Sequence, residues 1–440
     1  MDKKKTLELF SSFGFNSADF NNLAVRTKFK TRFNKLQGFD YLFALLSCCS
    51  NVLVSFNNLA AFLDTSNIAS ISKQALQKAM VKNGFLFFII IIFKKILAKK
   101  LREDASPILF NNSLFKRVLI QDSTIIKLPK RLYPFFSGVS NGVGKTTNAR
   151  VQYAFDIFNE EVKYFSIDSY SKNDLSQSQK LDIKNGDLVL RDRGYLSYAE
   201  IARLKSKGAD FIYRYKFNIK CLNIETNKPL DILKLLKKHH KLDITVRLQD
   251  KNGPIVRIVS ESINQEVANN RRAKLKKESS NKRPTKENLE MQSWSIYITS
   301  IPKEKMSYQN IFNIYKLRWR VEILFKAMKS SLNLDRIHNV SKIQLQIIIY
   351  AKIIFFVLTL QFIYLPASYK LKKQLNKELS LLKLIAYITA DKMRAIEIIE
   401  ELLKEEELIG PKLKSLAKYC SYEPRKRNNY HKCVEEIILS

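Results

Sequence analysis

The chain has 440 residues, 46% of them hydrophobic, enough to bury cores for two to four domains. Lys and Arg number 76 against 41 Asp and Glu, a formal net charge of +35, which points to a polyanion: DNA, RNA or an anionic membrane surface, with nucleic acid favoured. Cys48, Cys49, Cys221, Cys420 and Cys433 lack the paired spacing of a disulfide scaffold or a zinc site (even with His431 added) and suit a reducing cytoplasm.

Residues 1–105 read as a helical DNA-binding domain. Within it, the stretch 55–79 gives an apolar helix, a polar break and a second short helix that Ser72 can cap. This is the layout of a helix-turn-helix, although a plain helical hairpin has the same pattern. The start, MDKKKTLELF, lacks the apolar core of a secretory signal. The apolar run Phe85 to Phe93 is too short to span a bilayer.

From 106 to 218 the signals are mostly strand-like: 117–128, 150–158, 162–169, 187–192 and 211–218, with a helix over 197–207. Such an order predicts an α/β fold with a mixed sheet. The pattern loosens over 219–291, a β-rich insertion with strands at 240–248 and 254–263. Its stretch 271–286 carries eight basic residues and one acid, and reads as a solvated or DNA-touching basic loop. A last strand at 294–301 and a helix over 307–332 return to the core, which extends to 365. The run 343–365 could span a membrane by length, but Gln344, Gln346, Lys352 and Gln361 interrupt it. A buried core helix is expected there, and no membrane span. Residues 366–440 form a helical, amphipathic carboxy-terminal region with a basic end.

Asp122 and Asp192 each follow an apolar strand core, so adjacent strands can bring their carboxylates together. Paired hard cations need such shared oxygen ligands to clamp a phosphoryl displacement. Asp187 is a rival second acid, but it begins its strand. Projected on an ideal helix, Tyr315, Arg318, Glu322 and Lys329 fall within about 60° of arc, with Leu317, Val321, Leu324, Phe325 and Met328 largely opposite. The stripe suits a site that holds metal and phosphate together; a solvated stripe of helical ion pairs has the same spacing. Trp319, beside Arg318, is expected to pack.

The spacing of Tyr315, Arg318, Glu322 and Lys329 resembles the Tyr-Arg-Glu-Lys signature of insertion-sequence-four-like DDE transposases, bacterial cut-and-paste enzymes with a ribonuclease H-like core. The strings YKLRWRVEILFKAMK, QDSTIIKLP and LRDRGYLS resemble the surroundings of that family's Glu, first Asp and second Asp. The intervals are 70 and 130 residues, the second lengthened by a β-rich insertion that the family also carries. The likeness runs from roughly residue 55 to 345.

The resemblance implies a ribonuclease H-like mixed-sheet core, interrupted by the insertion and flanked by helical regions. It implies that Asp122, Asp192 and Glu322 bind two Mg²⁺ ions, with Mn²⁺ able to substitute. The reaction would be cleavage at transposon ends, then transfer of the 3′-hydroxyl into target DNA. Tyr315, Arg318 and Lys329 would hold phosphates. Arg214 and Lys216 match basic residues that contact DNA in relatives; a basic edge strand is the plainer reading. Trp294, 21 residues before Tyr315, would stack on a flipped base or else pack in a strand core. The implied partners are double-stranded DNA, as terminal inverted repeats and target, and a second copy in a synaptic dimer. The expected location is the bacterial cytoplasm, at the nucleoid. DRGYLS departs from the members whose hairpin step is best understood, so that step is left open. A regulator that binds ends without cutting, or another ribonuclease H-like nuclease, are the competing readings.

Overall fold

The computed structural model describes residues 2–98, 114–138, 144–159, 161–172, 174–278, 283–404 and 408–423. His431, Cys433, the basic carboxy-terminal stretch and residues 279–282 lie outside them. Among the described residues there are ten strands: β1 (Arg117–Lys127), β2 (Asn148–Asp156), β3 (Glu161–Ser169), β4 (Asp187–Arg191), β5 (Asp210–Arg214), β6 (Cys221–Leu222), β7 (Pro229–Leu230), β8 (Leu242–Leu248), β9 (Ile255–Ser262) and β10 (Trp294–Thr299). They form one sheet in the order β3-β2-β1-β4-β5-β10-β9-β8-β6-β7. β1 runs antiparallel to β2 and parallel to β4, β4 is parallel to β5, and β3 is antiparallel to β2. That half is the ribonuclease H-like arrangement. All five residues of β4 are buried, which explains its unbroken apolar run.

The insertion continues this sheet instead of standing apart from it. β10 pairs with β5 on one side and β9 on the other, so the core and inserted strands share a hydrogen-bonded seam. Part of the basic stretch is helical, not loop: the helix Gln265–Glu278 covers its first residues.

Side chains alternate across the sheet and build a separate core on each face. Val118, Ile120, Leu188, Leu190 and Ile212 face one side, together with the amino- and carboxy-terminal helices. Leu119, Val189, Phe211 and Tyr213 face the other, with most of the insertion. The amino-terminal helices therefore pack into the same core as the catalytic sheet. Within that region Gly84 lets two helices close on each other: a Cβ there would lie 2.4 Å from the Thr27 carbonyl oxygen. In the helix pair Phe56–Thr65 and Lys73–Met80, Ser55 and Ser72 cap as their sequence suggests. Lys73, Gln74, Gln77 and Lys78 are exposed.

Two long helices differ from their sequence pattern. The segment 307–332 is broken into Tyr308–Lys316 and Trp319–Ser331. At the break the Arg320 and Val321 amides bond to the carbonyls of Leu317 and Arg318, three residues back. The apolar helix does not stop near 365. It runs as one 34-residue helix, Lys342–Leu375, and 83% of its most apolar window is buried inside the protein. A π-helical turn at Leu360–Tyr364 precedes Pro366 and absorbs the amide bond that proline cannot make.

Candidate active site

The strand register sets four side chains in a row. Gln121 pairs with Arg191 across β1 and β4, Arg191 with Tyr213 across β4 and β5, and Arg214 with Tyr297 across β5 and β10. One residue beyond the first two pairs, Asp122, Asp192, Arg214 and Tyr297 align across adjacent strands, about 4.8 Å apart per step. Their parity puts them on the face that carries the helix Trp319–Ser331. Asp122 is not at a strand end, as its sequence suggested; β1 runs five residues past it. Asp192 does follow its strand. It occupies the N-cap position of the turn Arg193–Tyr195 without a capping bond from its carboxylate.

Behind the row, the residues preceding the two acids are locked together on the opposite face. The fully buried Arg191 guanidinium donates to Gln121 Oε1 at 2.9 Å through Nε, to Tyr213 Oη at 2.9 Å and to Glu200. A polar side chain in a strand buried on both faces needs partners, so each dipeptide, Gln121-Asp122 and Arg191-Asp192, holds one structural and one outward residue. Sequence reasoning passed over Gln121 and Arg191; their position beside the acids was the available signal. It also passed over Arg150 and Asp174. Arg150 Nη1 bonds to Asp174 Oδ1 at 2.8 Å and Ser123 Oγ at 3.1 Å, bracing β1 beyond Asp122.

The kink at Leu317 and Arg318 is what brings the third acid in. Arg318, almost buried, reaches Asp122 Oδ2 at 3.0 Å and Glu322 Oε1 at 2.7 Å. Glu322 lies in the first turn of its helix and is partly exposed. Burial pushes the Asp122 carboxyl up to about 6; Arg318 and the Ser123 amide pull against this, while Asp192 and Glu322 add to it. The three acids therefore sense one another. Asp122, Ser123, Glu322, Lys326, Lys329 and Arg336 line an open cavity of about 520 Å³.

The remaining expected site residues are placed variously. Tyr315 is buried rather than part of an exposed stripe, because the break separates its helix from that of Glu322. Its hydroxyl donates to the Arg191 carbonyl at 3.2 Å, just before Asp192. Lys329 lines the cavity, and its Nζ donates to the Ile125 carbonyl at 3.2 Å. Arg214 is half-buried and Lys216 exposed. Trp294 is half-buried against the core of the opposite face, with no hydrogen-bond partner for its indole N–H. Trp319 does not pack as expected: it is 59% exposed beside Arg318, at the start of a helix whose apolar side turns away from it. Asp187 is engaged elsewhere, accepting two bonds from Arg117 at the far end of β4.

Three carboxylates of hard oxygen, one of them raised chiefly by burial, match the donor chemistry of a divalent cation. Among the described residues no three such ligands are drawn close enough to hold a metal as they stand. Arg318 supplies the positive charge between Asp122 and Glu322 instead.

Asp122 and Asp192 thus stand on adjacent parallel strands, with the helix-borne Glu322 tied to Asp122 through Arg318, on a basic protein with a ribonuclease H-like sheet. Residues 113–358 match the family model for the transposase DDE domain, and the chain belongs to that family of insertion-sequence DNA transposases. It is similar to the transposase for insertion sequence element IS1151 of Clostridium perfringens, at 26% identity over 100% of this chain and 97% of that one. It is also 25% identical to the transposase for IS231E of Bacillus thuringiensis subsp. finitimus, over 76% of this chain and 74% of the relative. A solved piggyBac transposase synaptic complex with hairpin DNA aligns over 97% of this chain and 86% of that one, at 11% identity and a TM-score of 0.42. Members of the family act on DNA with divalent metals.

Proposed function

We propose that Asp122, Asp192 and Glu322 are the catalytic carboxylates and that they bind two Mg²⁺ ions, or Mn²⁺ in their place. The single observation that supports this best is the row of Asp122 and Asp192 with Glu322 tied to it through Arg318. Bound there, the metal supplies Lewis acidity toward the attacking and departing oxygens of a phosphodiester. The reaction is cleavage at the terminal inverted repeats of the element, followed by attack of the freed 3′-hydroxyl on target DNA. No protein–DNA covalent bond is needed.

The chain's own residues carry the rest. Gln121 and Arg191 fix the spacing of the two aspartates, and Tyr315 holds the backbone entering Asp192. Arg318 neutralises Asp122 and Glu322 in the DNA-free protein and can turn its planar fork to a phosphate when substrate arrives. Lys329, Arg214 and Lys216 bind the backbone on either side. Trp294 is the base-stacking candidate, and the exposed face of Trp319 offers a second one at the rim. The polar helix Lys73–Met80 contacts end DNA in a groove. Two copies synapse two ends, with the carboxy-terminal helices as the assembly surface, at the nucleoid in the bacterial cytoplasm.

The test is cleavage of labelled end DNA with Mg²⁺ by wild type and by Glu322→Gln. Cutting by the first alone supports the proposal. End binding without cutting by either assigns a regulator, and cutting of branched DNA without end preference assigns a different nuclease.

A further inference from the structure

The helix Gln265–Glu278 has an unusual make-up for an element of a folded protein. Among its described side chains only Ala268 is buried; Val267 and Ala273 are exposed, Leu275 is half-buried, and the rest are polar or charged. A helix with so little apolar surface turned inward relies on polar contacts more than on a core. Two arginines supply such contacts. Arg272 bonds to the Leu289 carbonyl, Asn269 Oδ1 and Ser293 Oγ. Arg271 reaches the Trp294 carbonyl at 3.3 Å and Ser295 Oγ at 3.2 Å. Every one of these acceptors is neutral. The acid nearest to Arg271 along the sheet, Glu261, lies opposite Ser295 but makes no ion pair with it.

Arg271 ends up on the active face. Ser295 and Tyr297 share a side of β10, and Tyr297 closes the row that begins with Asp122 and Asp192. The Tyr297 ring lies 4.4 Å from that of Tyr315 at a tilt of 39°, and the Tyr315 hydroxyl holds the backbone before Asp192. Arg214, the row's third member, makes no ion pair among the described residues, and its charge together with burial pulls the Arg271 guanidinium below its ordinary value. The two guanidiniums thus belong to one face of the β5–β10 seam, Arg214 opposite Tyr297 and Arg271 on Ser295 two residues before it, and neither pairs with an acid among the described residues. Like charges held together, half-desolvated and with unused donors, are costly unless an anion joins them.

We propose that Arg271 and Arg214 together bind one backbone phosphate of the DNA strand next to the cleavage point, so that the insertion itself grips the substrate. The proposal rests on the catalytic reading of Asp122, Asp192 and Glu322. The ligand is a nucleic-acid phosphate because the pair continues a row of acids on a chain with a net charge of +35. A carboxylate from a protein partner would satisfy the same forks but would give no salt-dependent DNA affinity.

The test uses the full-length protein without added metal and a labelled duplex carrying the inverted repeat that flanks the gene. Arg271→Gln keeps donors for Ser295 and the Trp294 carbonyl and loses the charge; Arg271→Lys keeps the charge. Arg271→Gln and Arg214→Gln are each expected to weaken binding about tenfold and to lower the slope of log K against log salt by about 0.9, one phosphate contact. Arg271→Lys retains the slope, Lys251→Ala in the exposed β8–β9 turn, at the other end of β9 from Trp294, changes nothing, and the double glutamine variant loses less than the sum. Unchanged affinity and slope in Arg271→Gln overturn the proposal, as does weaker binding with an unchanged slope. Should that variant fail to fold, the same criteria apply to Arg214→Gln. In a parallel reaction with Mg²⁺, wild-type protein that binds the duplex but does not cut it defeats the catalytic reading instead.

Discussion

In the half of the sheet made by β3, β2, β1, β4 and β5, buried charge near the site is matched. Arg191 and Glu200 are both fully buried and bonded to each other, and Arg117 is forked onto the buried Asp187. In the half made by β10, β9 and β8, one buried pair, Arg257 with Asp243, ties β9 to β8. Along the seam itself the charges lack opposites: Arg214 has no ion pair among the described residues, and Arg271 and Arg272 bond only neutral oxygens. One half is built to fix carboxylates in place. The seam between the halves, Arg214 on β5 and Arg271 beside β10, leaves its charges without an acid partner among the described residues. The difference teaches that one continuous sheet can pair its charges fully in one part and leave them unopposed in the next, the division that the proposed metal and phosphate sites require.

The comparison can be broken at its strongest point first. Glu322→Gln should reduce end cleavage on the order of 10⁴-fold, roughly 5 kcal/mol of transition-state stabilisation, with DNA binding little changed. A cleavage time course beside a gel-shift titration measures both, and retained cleavage would remove the core half from the chemistry. Arg191→Ala should lower unfolding free energy by about 3 kcal/mol, because Glu200 is left buried without Arg191, keeping only Arg203. Urea unfolding reads this directly.

A third, smaller effect concerns pH. The Asp122 carboxyl titrates at about 6 in the folded protein, above its ordinary range, so the native state holds a proton that the unfolded chain gives up from about pH 4. Its contribution to metal-free stability is complete below about pH 4 and is lost as pH rises to about 6. After allowance for partial exposure the change is on the order of 1 kcal/mol. Unfolding curves across that window should converge for wild type and Asp122→Asn at one end and part at the other; parallel curves refute the assignment. Smallest of all, Lys237→Ala removes an exposed ion pair with Glu290 inside the insertion. It should shift stability by less than about 0.5 kcal/mol. A loss as large as that of Arg191→Ala would erase the contrast between the halves.

Much of the fold was legible because it is written locally. The strands at 117–128, 162–169 and 187–192 and the helix at 197–207 differ from the observed elements by a residue or two, since alternation and apolar runs report burial directly. The break at Leu317 and Arg318 was not legible. Neither glycine nor proline marks it, and Arg318 at the break bonds to Asp122, 196 residues away in the chain. Trp319 was misjudged for the same reason: its exposure depends on where the second helix turns. The 34-residue helix through Pro366 was missed because a π-turn supplies what proline lacks, and nothing in the local pattern announces one.

The sequence by itself determined the chemistry available: three acids in order, the residues that flank them, a large positive charge and the periodicities of the elements that bear them. These depend on side-chain type and near-neighbour spacing, which a linear chain carries in full. Only the tertiary structure decided that Asp122, Asp192, Arg214 and Tyr297 stand in one row, that Arg318 joins two of the acids, and that the insertion extends the catalytic sheet. Except for the β4–β5 step, those facts come from pairings across 70 and more residues, where strand register and competing burial choose the partner and no local signal can.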